Sequence, residues 1–274
     1  HQTVAPLEII IVDQTPADER DYGLAQDFSD LPIRFIHLDQ PGQCSARNAG
    51  IKISQGDTIL FLDDDVEIKE DTIEKHLQVL EVMGGEVSTG TVHEPGQADH
   101  CSELPVLQVS SIFPTDNAMI RKDVLKQSGL FDLAYDHGSR ADGDLGMRLY
   151  LSGALMLQNL SNDILHHHAP RGGLRVHGAR TVTARKGRTS LKDAAIPSAT
   201  EFYLAKRYFE PEQVKNYKRI LSLAVFRTDL KGINRALHFC IRLIQFPWLF
   251  TRIRKNEHKA EMMLTRYPDI PGLE

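Results

Sequence analysis

Two apolar runs in this chain both stop on aspartate, and that pattern constrains the fold more than any other feature. Residues 7–12, "LEIIIV", are β-branched and are halted by Asp13. Residues 58–62, "TILFL", are halted by three acids in succession, Asp63, Asp64 and Asp65. Runs of this length and composition read as strands buried on both faces. A third strand is expected over 33–38, and others over 86–92, 155–160 and 164–168. Helical periods fall between them. One starts at Ser45 as N-cap and ends by Gly56. Another covers 72–83 with Ile73, His76, Leu77 and Leu80 on one side, stopped by Gly84-Gly85. Shorter ones cover 122–127 and 144–151, each followed by glycine. Such alternation predicts an α/β sandwich, a mostly parallel sheet flanked by helices.

In open α/β sheets, ligands collect at the carboxyl ends of the strands. Asp13 and Asp63–Asp65 stand at such ends, so one cleft would hold them all. Three adjacent carboxylates repel one another. A cation among them relieves the repulsion, and so does plain exposure to water. Hard carboxylate oxygens suit Mg²⁺ or Mn²⁺, and Mg²⁺ is commonly held by one or two carboxylates together with substrate phosphates.

Charge is divided unevenly. Residues 1–170 carry 28 Asp and Glu against 11 Lys and Arg, whereas residues 171–259 carry 6 against 20. An acidic front and a basic back imply different tasks. Cys44, Cys101 and Cys240 are odd in number and widely spaced, which fits neither a disulfide framework nor a zinc pattern and points to a reducing, cytoplasmic setting. No apolar run approaches the ~18–20 residues that span a bilayer, and no signal peptide is visible.

Four segments, in order, are "LEIIIVDQTPAD", "GQCSARNAGIKISQGDTILFLDDDV", "DNAMIRKDVLKQSGLFD" and "ADGDLGMRLYLSG". Together they resemble the successive motifs of family 2 glycosyltransferases with the GT-A fold, over about residues 7–170. The resemblance implies a catalytic domain over 1–170, followed by a basic loop and helical C-terminal extension over 171–274. It implies a hexosyltransferase of polysaccharide biosynthesis. Such an enzyme moves a sugar from a nucleotide-diphosphate sugar donor to a glycan or lipid-linked acceptor, with inversion and with Mn²⁺ or Mg²⁺.

Carried over by position, Asp13 would contact the base and Arg47 the donor diphosphate, with Asn48 holding its loop. Asp63 and Asp65 are the outer positions of the DxD motif. Asp65 would bind the metal, Asp63 the ribose or the metal's water shell, and Asp64, the variable middle position, would join the residues that bind the nucleotide sugar. Asp142 aligns with the catalytic base, although Ala141 stands where the family usually has an acid. Asp144 is the rival base and would lie on the acceptor side, with a structural role at a helix N-terminus as its alternative. His166, in "ILHHHAPRGG", would be a further metal ligand, sharing a strand face with His168; a wet strand end is the competing account. The Gly172-Gly173 loop with Arg171 and Arg175 reads equally as a lid over the diphosphate or as a plain basic loop. Asn117 and Arg121 match a segment on the acceptor side, and Asn117 could equally cap the helix that follows. The family's first strand has no counterpart ahead of Leu7, and the chain starts at His1. A truncated N-terminus, with a gap or an altered order in the sheet, is therefore expected.

Beyond Pro197 the chain reads helical: 200–209, 212–226, and 231–256 with a break near Pro247. In "CIRLIQFPWLFTRIRK" the residues Leu243, Ile244, Phe246, Trp248, Leu249 and Phe250 accompany Arg242, Arg252, Arg254 and Lys255. Residues 240–256 suit a helix lying on a membrane surface, or one packed on the catalytic domain or a second subunit. No recognition motif accompanies the charge, so nucleic acid is not an expected partner. Two other functions stay open: an inactive GT-A-like membrane-surface scaffold, and a haloacid-dehalogenase-type phosphatase, whose Asp-x-Asp motif wants Thr or Val at position 67, where Glu67 stands.

Overall fold

The computed structural model describes residues 1–96, 106–167 and 184–273. In chain order the first elements are β1 (Ile9–Asp13), α1 (Leu24–Asp27), β2 (Ile33–His37), α2 (Gln43–Ile53), β3 (Thr58–Phe61) and β4 (Val66–Glu67). Then come α3 (Thr72–Glu81), β5 (Val87–His93), β6 (Leu107–Val109), β7 (Ala118–Arg121), α4 (Lys122–Ser128), α5 (Ala141–Leu151) and β8 (Met156–His166). The last four helices are α6 (Ala184–Thr189), α7 (Ala199–Tyr208), α8 (Pro211–Ala224) and α9 (Gly232–Arg266). The chain forms two compact units, one of His1–Asp136, Ala141–Arg171 and Ile270–Glu274, the other of His137–Arg140 and Gly172–Asp269.

In the first unit the described strands make two separate sheets. β1 and β2 pair in parallel, from Ile9 opposite Ile33 to Asp13 opposite His37. The other sheet has the order β3-β7-β5-β8-β4, with β6 also on β8. It is mixed. β5 runs parallel to β8, whereas the β3–β7, β5–β7, β4–β8 and β6–β8 pairs are antiparallel. The α/β class is as expected, but the parallel share is smaller. The alternation of long elements conceals β4, β6 and β7, of two to four residues each, and these supply the antiparallel pairings.

The segments read as two strands over 155–168 are one strand, β8. Its register with β5 slips between Thr89, opposite Gln158, and Thr91, opposite Asp163. The polar residues that look like a break are buried there with partners. Ser161 bonds Asn159 Oδ1 at 2.7 Å, Asn162 Nδ2 donates to Thr72 O, and Asp163 meets Lys69 Nζ at 2.6 Å. A polar network ties β5, β7, β8 and α3 together. Asn117 Nδ2 donates to the carbonyls of Thr91 and Asn162, which leaves its Oδ1 to accept from His76 Nε2 at 2.9 Å. The other ring nitrogen, Nδ1, then accepts from Ser88 Oγ at 2.8 Å. Gly90 is required beside this network, because a Cβ there would fall on the Asn117 amide and Asn162 O.

Burial pushes the His76 imidazole down to about 4 from an ordinary 6.5, against the hydrogen bond to Asn117. The unfolded chain therefore takes up a proton that the folded one refuses. Stability is full above pH ~6.5 and falls as pH drops to ~4, by about 3 kcal/mol. Urea denaturation across that range should show the loss, and His76→Gln should flatten it. An unchanged slope in the variant would contradict the assignment.

In the second unit α7 packs along α9. A full capping box, Ser198 with Glu201, opens α7. α9 runs unbroken through Pro247, where a break was expected. The proline removes the hydrogen bond to the carbonyl of Leu243. Leu243 and Pro247 are both exposed, which puts the lost bond on the solvent side of the helix. Arg242, grouped by sequence with the interfacial cations, is instead fully buried. It donates to the carbonyls of Ser190, Leu191 and Asp193 and to Gln245 Oε1. No described helix is long and apolar enough to cross a membrane.

Candidate active site

The site is built around Arg47, and the start of α2 explains why Arg47 is so placed. α2 has no local N-cap. Asp136, remote in sequence, takes that role: its Oδ1 accepts from the amides of Cys44 and Ser45 at 2.8 Å each and from Ser45 Oγ at 3.1 Å. Ser45, the expected N-cap, thus sits inside the first turn. Gly42 is required, because a Cβ there would fall on the Asp136 carboxylate. Asn48 holds the other side, exchanging two hydrogen bonds with the backbone of Phe131. Its partner is therefore Phe131, whose ring lies 5.4 Å beneath the Arg47 guanidinium.

From that seat Arg47 reaches acids on two other elements. Its Nη2 is 3.6 Å from Asp63 Oδ1, and its Nη1 is 3.6 Å from Asp142 Oδ1. Nη2 also donates to Thr115 Oγ1 at 2.6 Å, and Thr115 in turn donates to Asp142 Oδ1 at 3.3 Å. Asp142 lies in the first turn of α5, just after Arg140, which has φ of 88°.

Asp63 and Asp65 are part-buried, whereas Asp64 between them is exposed. β4 pairs with β8 so that Val66 faces His166. This brings His166 Nε2 to 3.0 Å from Asp65 Oδ1, and the His167 amide donates to Asp65 O. Side chains separated by about a hundred residues therefore converge on the end of β3. His168, Arg171, the Gly172-Gly173 turn and Arg175 lie outside the described residues.

Burial raises the carboxyl of Asp142 above its ordinary range; Arg47 and Thr115 lower it and Asp63 raises it further. Burial likewise raises Asp63, opposed by Arg47 and reinforced by Asp65 and Asp64. One acid here went unread in the sequence. Asp116 is raised by burial and by Asp63, and its Oδ1 is buried without a hydrogen-bond partner. The signal that finds it is register. β7 runs antiparallel to β3 with Phe61 opposite Ala118, so the residues just ahead of β7 lie beside those just after β3. Thr115 enters the site by the same route.

Asp13 has its own partners, Thr15 N at 2.8 Å, His37 Nδ1 at 3.0 Å and Arg20 Nε at 3.9 Å. Burial pushes its carboxyl up, but Thr15 and His37 together hold it below the usual range. Gln14, next in the chain, bonds the Gly42 backbone and so ties the end of β1 to the start of α2. The residues expected on the acceptor side make internal contacts. Asn117 is fully buried in the His76 network, and Asp144 is fully buried against Arg148 at 2.9 Å. Arg121 donates to Leu80 O. Among the described residues no three His, Cys, Asp or Glu side chains surround one metal position.

Comparison with known proteins shows what this chain resembles. The model of "Glycosyl transferase family 2" matches residues 1–102, the stretch that carries β1, α2 and the three aspartates. Residues 1–102 match glycosyl transferase family 2. The Bacillus subtilis glycosyltransferase YwdF, itself uncharacterized, is 29% identical over 144 residues, covering 48% of this chain and 53% of that protein. EpsJ of the same organism is 45% identical over 67 residues, or 23% of this chain and 19% of EpsJ. The chain thus spans about half the length, or less, of these curated relatives. Among solved structures, Staphylococcus aureus TarS 1–349 superposes with a TM-score of 0.53 at 13% identity, over 92% of this chain and 71% of TarS. GalNAc-T7, solved with UDP, GalNAc and Mn²⁺, gives 0.58 at 12% identity over 95% and 52%. The fold is therefore that of the GT-A glycosyltransferases.

Proposed function

We propose that this GT-A protein transfers a sugar, a hexose by the family resemblance, from a nucleotide-diphosphate sugar to an acceptor hydroxyl, with inversion at the anomeric carbon. The observation that carries this reading is Arg47 bridging Asp63 and Asp142, with the Asp65–His166 pair alongside. Asp13 recognises the base, Asp63 the ribose, and Arg47 the diphosphate. Asp142 accepts the proton of the attacking hydroxyl. A carboxyl raised by burial is a better base near neutral pH than an ordinary one. Thr115 orients that carboxylate.

The carboxylate of Asp65 and the imidazole of His166 form a donor pair of the kind Mn²⁺ or Mg²⁺ accepts, with the donor diphosphate completing the set. A divalent cation held there supplies charge neutralisation to the leaving diphosphate. Solved neighbours carry UDP-GlcNAc in one case and UDP with Mn²⁺ in another, which supports such a donor. The acceptor is a glycan or a lipid-linked molecule in this reading, and the latter would be met at a membrane surface.

Thermal unfolding tests donor and metal together. Mn²⁺ with the matching nucleoside diphosphate at a hundredfold excess over Kd should stabilise by about 2.7 kcal/mol, or roughly 5–10 °C in Tm. Asp65→Ala should abolish the Mn²⁺-dependent part. A shift that is the same without metal, or undiminished in the variant, would remove Asp65 from the metal site. Ala141, where the family usually has an acid, favours a second reading, an inactive membrane-surface scaffold, in which no nucleotide shifts Tm at all.

A further inference from the structure

The second unit carries a surface that sugar transfer does not use. On α9 the residues Ile233, Leu237, Leu243, Ile244 and Trp248 are exposed, Ile244 by 81% and Trp248 by 57%. Their spacing puts them on one broad side of the helix. The opposite side, through His238, Arg242, Leu249, Ile253 and Ala260, is buried. Leu223 of α8 is likewise exposed. An apolar face of this extent on a basic helix marks an interaction surface.

Charge selects the occupant. From Leu230 to Asn256 there is no Asp or Glu, while six Lys and Arg are present. Arg242 is buried, but Lys231, Arg235, Arg252, Arg254 and Lys255 are exposed. Arg252 lies over the Trp248 ring at 4.7 Å, a cation–aromatic pair with an apolar body and a charged rim. A face between protein copies would place cations against identical cations. An anionic surface with an apolar interior matches both the charges and the aliphatic side chains.

A groove between α8 and α9 adds a second feature. It is lined by Lys215, Lys218, Arg219, Ser222, Leu223 and Phe250. Phe250 lies two turns beyond Leu243 on the same side of α9. The three cations are partly offset by Glu212 and Glu257. Ser222 is 6% exposed, and its hydroxyl is buried without a partner.

We infer that the helical unit lies on an anionic bilayer through the outward side of α9, with the α8–α9 groove taking a lipid phosphate. The inference does not rest on the sugar-transfer reading and fails separately from it. Trp248 is the chain's one tryptophan, so its fluorescence reports this face alone. With the full chain and phosphatidylcholine vesicles containing phosphatidylglycerol, Trp248 emission should shift to the blue and become shielded from acrylamide, and the protein should co-sediment. Ile244→Asp, on a fully outward side chain, should weaken vesicle binding about tenfold or more with unchanged circular dichroism. Arg219→Gln, at the groove, should weaken it about fivefold. No emission change and no co-sedimentation would overturn the inference, as would equal binding to vesicles without phosphatidylglycerol. A dimer that Ile244→Asp dissolves, without vesicle binding, would overturn it in favour of a protein interface.

Discussion

Asp142→Asn is expected to lower sugar transfer by about 10²–10⁴-fold, the range of a lost general base, without destabilising the protein. The second half of this expectation follows from linkage. Burial raises the Asp142 carboxyl above its unfolded value. Its contribution to stability is therefore full below the unfolded value and is lost as pH rises through the folded one. At neutral pH the ionised side chain opposes folding, and a neutral amide of the same shape relieves that opposition. The variant should melt at or above the wild-type temperature while transferring far more slowly. In the wild type the acid limb of the rate profile should lie above the ordinary carboxylate range, because the base acts only when ionised. A variant that loses activity by unfolding would show a lowered Tm instead, and that result would reassign Asp142 to structure.

The parts of this site that are readable in sequence are those fixed by local pattern. Asp63–Asp65 follow an apolar strand, Arg47 sits in a helix whose sequence ends at Gly56, and Asp142 and His166 fall within motifs that resemble the family's. The unread parts depend on partners far along the chain. Asp116 and Thr115 join the site only because β7 runs against β3, and a four-residue strand leaves no periodic trace. Asp136 caps α2 from more than ninety residues away, a role that no local rule assigns. Asn117 and Asp144 are drawn to the site by their place in the family's motifs, and in the structure their partners are internal: His76 and two carbonyls for one, Arg148 for the other.

The second large effect is on stability. Arg242→Ala should destabilise the helical unit by about 3–5 kcal/mol, the range for removing one partner from a buried charged network. The guanidinium is the donor for three carbonyls of the 190–193 turn. Its removal takes the shared donor from all three and leaves a cavity where the buried side chain stood. Arg242→Lys should recover only part of the loss, since one ammonium cannot reproduce a planar fork. Urea denaturation followed by helical circular dichroism measures both. A loss below about 1 kcal/mol for the alanine variant, the level of an exposed charge, would return Arg242 to the surface where the sequence pattern put it.

That misplacement has a physical source. Residues 240–255 alternate cations and aromatics so densely that periodicity alone does not say which side is buried. The structure resolves it by turning Arg242 inward with Leu249 and Ile253 and leaving Ile244 and Trp248 outside. The continuity of α9 through Pro247 was hidden for a related reason. A proline ends a helix when the freed carbonyl has nowhere to go, and exposure of the site is not written in the residue itself. The gross α/β order and the helical C-terminal part were legible because strand and helix periods persist over many residues.

The most direct test of the account is release of nucleoside diphosphate from a panel of UDP-, GDP- and dTDP-sugars by the purified protein with Mn²⁺, in the absence of acceptor. A site in which Arg47, Asp63, Asp65 and Asp142 serve one sugar nucleotide predicts slow, metal-dependent release from at least one donor, with water in the acceptor's place. Failure to release nucleoside diphosphate from any donor, by protein that is folded and metal-loaded, would contradict it.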